Sequence, residues 1–442
     1  MPPDADPTTR GGAGGAQRRM RWRAALVDTR PLRRPAYRRL WASTVVTAIG
    51  SQLTAVAVPK QIFDDTGSSA WVGASGAAAL VPLVVFGLWG GSVADAVDRR
   101  ILLLVTNAGI AVTSLLLWLQ AFTGSRSVWI VLALLALQQA CFGLNAPARG
   151  AIVPRLVPPE ELAAAGALNA TVMGLGSVLG PLAAGALIPL VGLPTLYLLD
   201  TAALVLAVVA VSRLPAIPPA PTADGARRTA GLRSVVDGVR YLSAHTVLLV
   251  SFLADILAMV LGMPRALFPE MAERTFGDPP GGGLALGVLF AAIPAGSLLA
   301  GFVSGSFTRI HRQGAAVAVG VCAWGLAVAG FGLSSSLRVA AVFLALAGAA
   351  DLVSMVFRGA MLQQAAADEM RGRMQGVFIV VVSGGPRLAD LLHGTLGQVL
   401  GTRVAVTGGG LLVVVAMLAV LVWRPEFWRY RPHSALAPAG RR

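Results

Sequence analysis

Twelve apolar stretches constrain this chain more than any other feature. They run over 37–63, 71–94, 101–122, 127–147, 163–190 and 193–213, then 245–272, 284–307, 315–335, 338–358, 373–400 and 404–423. A helix rising about 1.5 Å per residue needs roughly 20 residues to cross the ~30 Å hydrocarbon layer of a bilayer, and each stretch has that length. Inside lipid the backbone N–H and C=O groups must bond within their own segment, which a helix achieves and a lone strand cannot. Charged residues make up only 13% of the chain, about half the share in an ordinary soluble domain. The expected fold is therefore all-α and integral to the membrane, with twelve transmembrane helices.

The formal charge of +15 is sorted by side. An even number of crossings brings both ends to one face. That face collects ten basic residues at the N-terminal end, then Arg99, Arg100, Arg149, Arg155, Arg213, Arg227, Arg228, Arg233, Arg240, Arg309, Arg312, Arg358, Arg371, Arg373 and five near the C-terminus, 29 of the 36. The other face receives Lys60, Arg126, Arg274, Arg338 and Arg403, and Arg265 and Arg387 fall within spans. By the positive-inside rule the crowded face is cytoplasmic, with both termini inside. Such charge answers to topology and to anionic lipid head groups, so the lipid bilayer and not nucleic acid is the expected partner. One lysine beside 35 arginines suits a GC-rich bacterial genome, and the expected location is a bacterial inner (cytoplasmic) membrane. Cys141 and Cys322 each stand alone within an apolar span and imply no disulfide.

Residues 1–35 form a basic tail too poor in apolar side chains to build a core and are expected to be disordered. Six spans occupy 36–213 and six occupy 245–424, followed by a tail over 425–442. The joining segment 214–244 carries Pro215, Pro218, Pro219 and Pro221 and reads as a cytoplasmic linker. At its end Val235, Val236, Val239 and Leu242 share one helical face, as in a short helix lying on the membrane or an extension of span seven. The halves repeat one another: Gly91 and Arg99 match Gly301 and Arg309 at an offset of 210, while Arg149-Gly150-Ala151 and Glu160 match Arg358-Gly359-Ala360 and Glu369 at 209. A parallel six-plus-six repeat places a substrate site near the midplane between two six-helix bundles that rock to expose it to either side.

The loop after span two reads Gly91-Ser-Val-Ala-Asp95-Ala-Val-Asp98-Arg99-Arg100, and it resembles the G-x-x-x-D-x-x-x-R-[RK] signature of the major facilitator superfamily. The resemblance implies that Asp95, Arg99 and Arg100 latch the cytoplasmic side, with Arg149, Glu160 and Arg358 after spans four and ten as further gate candidates. Asp98 stands where the family has glycine, and Gly305 replaces the carboxylate in the second copy, so only the first latch is complete. Span five contains Gly176, Gly180, Pro181 and Gly185 in a pattern similar to the G-x-x-x-G-P-x-x-G-G signature of exporters in this superfamily, which implies antiport. Stretches such as Val58-Pro59, Asn145-Ala-Pro-Ala-Arg149, Arg265-Ala-Leu-Phe-Pro269, Ala291-Ala-Ile-Pro294 and Met361-Leu-Gln363 resemble bacterial enterobactin exporters and the macrolide-efflux proteins of the same branch.

Ionisable groups inside a span are costly and usually face a partner or a cavity. Asp255, Asp351, Asp390 and His393 are the candidates for proton coupling. Asp351 and Arg358, two turns apart, are not expected to pair within one helix, whereas Arg387 and Asp390, three apart, can. Asp200 reads as interfacial. Gln52, Gln138, Gln139, Asn145, Arg265 and Asp351 are polar groups amid apolar helix and are candidates for the substrate pathway; the enterobactin-exporter resemblance implies an anionic catecholate for Arg265, and lipid head groups near the outer surface are its alternative partner.

Lys60, the sole lysine, sits in Val-Pro-Lys-Gln and not in a glycine-rich phosphate loop, so no ATP-hydrolysing site is expected. The four histidines are scattered without a ligand spacing, so neither a metal nor another cofactor is expected. The reading is a secondary transporter, not an enzyme, that exchanges protons for siderophore-like or drug-like small molecules and works as a monomer. The alternatives are a multidrug or macrolide exporter and a non-transporting receptor of the same fold.

Overall fold

The computed structural model describes residues 28–218, 240–365 and 368–431, and of these the side chains at all but positions 91, 92, 95, 365, 368–376, 378 and 379. Of the expected tail over 1–35, residues 1–27 lie outside those described, while the last eight contain a 3₁₀ turn, Arg30–Arg33, and the first residue of a helix; the surface helix around Val235, Val236 and Val239 also lies outside, as does the side chain of Asp95.

The first half comprises α1 (Pro35–Thr66), α2 (Ser69–Ala96), α3 (Arg99–Phe122), α4 (Val128–Leu156) and a continuous 51-residue run, Leu162–Ser212. That run is bent at Gly192, whose φ of 77° and ψ of 160° lie outside the helical region and strain any residue with a Cβ. The bend divides it into α5 (162–191) and α6 (193–212). Proline at the first position starts α1, and Gly67 in the left-handed conformation ends it, so two residues suffice to turn the chain into α2.

The second half comprises α7 (Thr246–Gly262), α8 (Leu284–Phe302), α9 (Gln313–Leu333), α10 (Leu337–Ala365), α11 (Asp368–Leu400) and α12 (Thr402–Trp423), with a short α13 (Pro425–Arg429). The expected seventh span over 245–272 is broken: α7 stops at Gly262, before Pro264, which has no N–H to continue the ladder. The chain resumes as a 3₁₀ turn, Arg265–Leu267, and a short helix, Phe268–Arg274.

Ten described helices are long and apolar enough to cross a membrane by length and composition. One of them holds both arms at Gly192. α11, with Arg387, Asp390 and His393, is not among the ten but packs along α2 and α7. The twelve expected crossings require counting both arms of that run separately and adding α11 to the ten.

Helices α2 and α11 join the halves on one side, and α5 and α8 join them on the other. Exchanging the halves turns one pair into the other. Each pair crosses on glycines at the arginine-poor end: a Cβ on Gly73 would lie 3.0 Å from the Gly394 Cα, and one on Gly185 would lie 2.8 Å from the Gly287 Cα. Gly185 and Gly394 are themselves repeat equivalents (394 − 185 = 209). Small residues let the backbones approach this closely, so the two halves are shut against each other at that end.

Candidate functional site

Three arginines and three aspartates gather where α7, α10 and α11 meet. Arg358 of α10, 4% exposed, forms an ion pair through Nη1 with Asp255 of α7, 2% exposed. Its Nη2 lies 3.7 Å from Asp351, one of whose faces stays open, with 22% of the side chain exposed. This last approach was not expected from the two-turn spacing, and the structure corrects that expectation. Residues seven apart lie on one helix face, and because helical side chains lean toward the N-terminus the long Arg358 side chain folds back over two turns onto Asp351. Arg358, expected at a cytoplasmic gate, is instead a buried counterion.

The break in α7 sets Arg265 in the combined field of Asp390, Arg387 and Asp351. Asp390 and Arg387 also act on each other through space, but no direct bridge closes between them and the Asp390 Oδ1 accepts no hydrogen bond. A Cβ on Gly76 of α2 would meet the Asp390 Cβ at 2.7 Å, so this cluster borders the other half. His393 faces elsewhere. It is fully buried, and its Nε2 lies 3.0 Å from the Leu261 carbonyl, an acceptor orphaned by the break in α7.

In the first half, Asp200 is no interfacial residue. It is 2% exposed, and its Oδ2 accepts from Thr54 of α1 at 2.6 Å and from Ser114 of α3 at 2.8 Å. Gln138, expected in the substrate pathway, donates to Ser114 at 3.0 Å and belongs to this internal network. Asn145 likewise turns inward, donating to Thr106 at 2.8 Å and Asn107 at 2.9 Å. Arg149 donates to Thr44 of α1 at 2.7 Å. Gln52 and Gln139 keep partial exposure, and the Gln52 Cβ packs on Gly180 while Gly176 faces Ala48. Pro181 and Gly185 face Gly287. The exporter-like motif thus seats α5 on α1 and on α8.

A second charged cluster, which the sequence reading treated as topology alone, closes the arginine-poor end. Lys60, 1% exposed, holds Asp64 at 2.5 Å one turn along α1 and Glu273 at 2.7 Å across the junction of the halves. Ser69 at the start of α2 hydrogen-bonds Glu270, which also pairs with Arg274 at 2.7 Å. The i, i+4 spacing of Lys60 and Asp64 was legible, but Glu273, 213 residues away, was not.

At the arginine-rich end, Asp98 caps α3 by accepting from the Arg100 N–H at 2.8 Å and also accepts from the Ile217 N–H. The Arg99 N–H donates to the Ile217 carbonyl at 3.1 Å, and the Arg100 guanidinium reaches the Ser212 carbonyl. These bonds tie the loop to the end of α6 in its own half. Arg99 is 8% exposed, Glu160 is exposed, and its neighbour Glu161 pairs with Arg34 at 3.0 Å.

Known proteins match this architecture along almost its whole length. Enterobactin exporter EntS of Escherichia coli O157:H7 (strain EC4115 / EHEC) is 30% identical over 415 residues, covering 92% of this chain and 96% of the relative. Enterobactin exporter EntS of Shigella boydii serotype 18 is 31% identical over 407 residues, covering 90% and 94%. Among solved structures, the nucleoside transporter NupG has a TM-score of 0.70 at 13% identity, covering 90% of this chain and all of that one. A bacterial homologue of the human lysosomal transporter Spinster has a TM-score of 0.68 at 14% identity, covering 89% and 99%. The fold is thus the major facilitator fold, two six-helix bundles built for transport and not for catalysis. The family model described as transmembrane secretion effector matches residues 27–433, and the chain belongs to that family of multi-pass membrane transporters.

Proposed function

We propose that the protein is a proton-coupled exporter in a bacterial inner membrane, with its arginine-rich face cytoplasmic. By this reading it works as a monomer and exchanges protons for siderophore-like or drug-like small molecules by alternating access. The direction rests on the enterobactin-exporter relatives. The coupling rests on one observation: buried Arg358 faces two carboxylates, so the trio carries one negative charge more than it can neutralise. An isolated charge inside the membrane is expensive, and taking up one proton makes the trio neutral. Asp255 is sealed against the guanidinium, whereas Asp351 is the more distant and the more accessible. Asp351 is therefore the carboxylate that exchanges the proton, and Asp390, beside Arg265 and Arg387, sits where substrate binding can alter the balance.

In everted vesicles energised by a proton gradient, Asp351→Asn is expected to lose gradient-driven substrate accumulation while keeping substrate counterflow, because asparagine preserves the shape but cannot exchange a proton. Gradient-driven accumulation at the wild-type rate in Asp351→Asn would remove the coupling assignment.

A further inference from the structure

Within the membrane region every guanidinium of the second half has a carboxylate near it: Asp255 and Asp351 for Arg358, Asp390 for Arg265 and Arg387. The first half has no such arrangement among its described residues. Arg149 on α4 is the repeat equivalent of Arg358 on α10 (358 − 149 = 209), and it repeats the same contact, reaching from α4 to α1 as Arg358 reaches from α10 to α7. The carboxylates are missing. The same offset puts Phe142 where α10 has Asp351 and Val46 where α7 has Asp255.

What Arg149 finds instead is neutral: the Thr44 hydroxyl at 2.7 Å for Nη1 and the Asn145 carbonyl oxygen at 3.4 Å for Nε. Among the described residues no carboxylate lies within ion-pair reach, and no hydrogen bond is recorded for Nη2. Asp200 cannot serve. It bonds Thr54, ten residues along α1 from Thr44, which at about 1.5 Å per residue sets the two threonines about 15 Å apart along the helix. Asn145 is itself held by Thr106 and Asn107, so its oxygen is oriented in advance. Arg149 keeps partial exposure, whereas Thr44 beneath it is buried. By the repeat, Arg149 is the first-half counterpart of the guanidinium around which Asp255 and Asp351 gather.

We propose that Arg149 is the binding group for an anionic oxygen of the cargo, a carboxylate or phenolate, and that the cargo supplies the counter-charge which Asp255 and Asp351 supply to Arg358. A guanidinium fixed through Nε and Nη1, with Nη2 left over, offers a charge-assisted hydrogen bond that a neutral ligand cannot match. The inference rests on the transport reading for the identity of the ligand as cargo, but the anion site can be measured by itself.

Binding of salicylate and of salicylamide, which share a ring and differ in charge, to the purified full-length protein in nanodiscs tests it. Salicylate is expected to bind at least tenfold more tightly. Arg149→Gln is expected to erase that ratio, and Arg149→Lys to keep part of it. Because a glutamine in this network could harm folding, Thr44→Asp serves as the second variant: it gives Arg149 an internal counterion and is expected to abolish the preference in a folded protein. Equal affinity for the two probes in the wild type, absence of binding by either, or a preference that survives both Arg149→Gln and Thr44→Asp would overturn the proposal. If the anion preference holds but vesicles show no export, the transport reading falls and the anion site stands.

Discussion

Arg358→Gln is expected to destabilise the protein by about 3–5 kcal/mol, because it leaves a buried carboxylate without its cation. Asp255 is 2% exposed and has no solvent to turn to, and Asp351 loses its nearest positive charge as well. The measurement is thermal unfolding of the purified protein, with the double variant Asp255→Asn/Arg358→Gln beside it. Removing the buried charge together with its partner deletes both the attraction and the desolvation cost, so the double variant is expected to recover most of the lost stability. It is not expected to recover export, since the trio that takes up a proton is gone. A single variant as stable as the wild type would mean that the ion pair is not part of the folded bundle.

The second large effect belongs to Lys60. Its ammonium is buried between Asp64 on its own helix and Glu273 on the far side of the junction, so it cancels a repulsion and ties the halves together at once. Lys60→Met removes the tie and leaves two carboxylates facing each other. Truncating one member of a buried interfacial charge pair costs about 2 kcal/mol or more, roughly a thirtyfold shift between closed and open forms. A cysteine placed at Ala285, 2% exposed in the first turn of α8, is expected to react with a membrane-impermeant maleimide far faster in Lys60→Met than in wild type. Adding Glu273→Gln relieves the repulsion and is expected to reverse part of the change. Equal labelling rates in all three proteins would show that the cluster does not hold this end shut.

Much of this architecture is written locally in the chain. Apolar length fixes the helices, and the offsets of 209 and 210 fix the repeat, because a helix needs only its own residues to satisfy its backbone in lipid. The site is less legible because its partners are far apart in sequence. Nothing in the neighbourhood of Asp255 points to Arg358, 103 positions away (358 − 255). Asp200 was misread for the same reason: nearness to the end of a span suggested an interface, while its true environment is set by Thr54 and Ser114 on two other helices. Lys60 was misread because topology explains an outer lysine well enough, and burial is invisible until Glu273 is brought beside it. Asp98 shows the converse. It stands where the family has glycine, and its carboxylate caps α3 by accepting from the Arg100 N–H, a side-chain bond that glycine cannot make.

All of these assignments depend on two halves that tilt about the central charges, closing one end as the other opens. The direct measurement is a pair of spin-label distances in the same protein, one across the arginine-poor end between Ser68 and Thr275, the other across the arginine-rich end between Arg155 and Gln364, with and without Lys60→Met. The first distance is expected to lengthen and the second to shorten together in the Lys60→Met protein. Two distances that move in the same direction, or one that changes while the other stays fixed, would contradict the tilt.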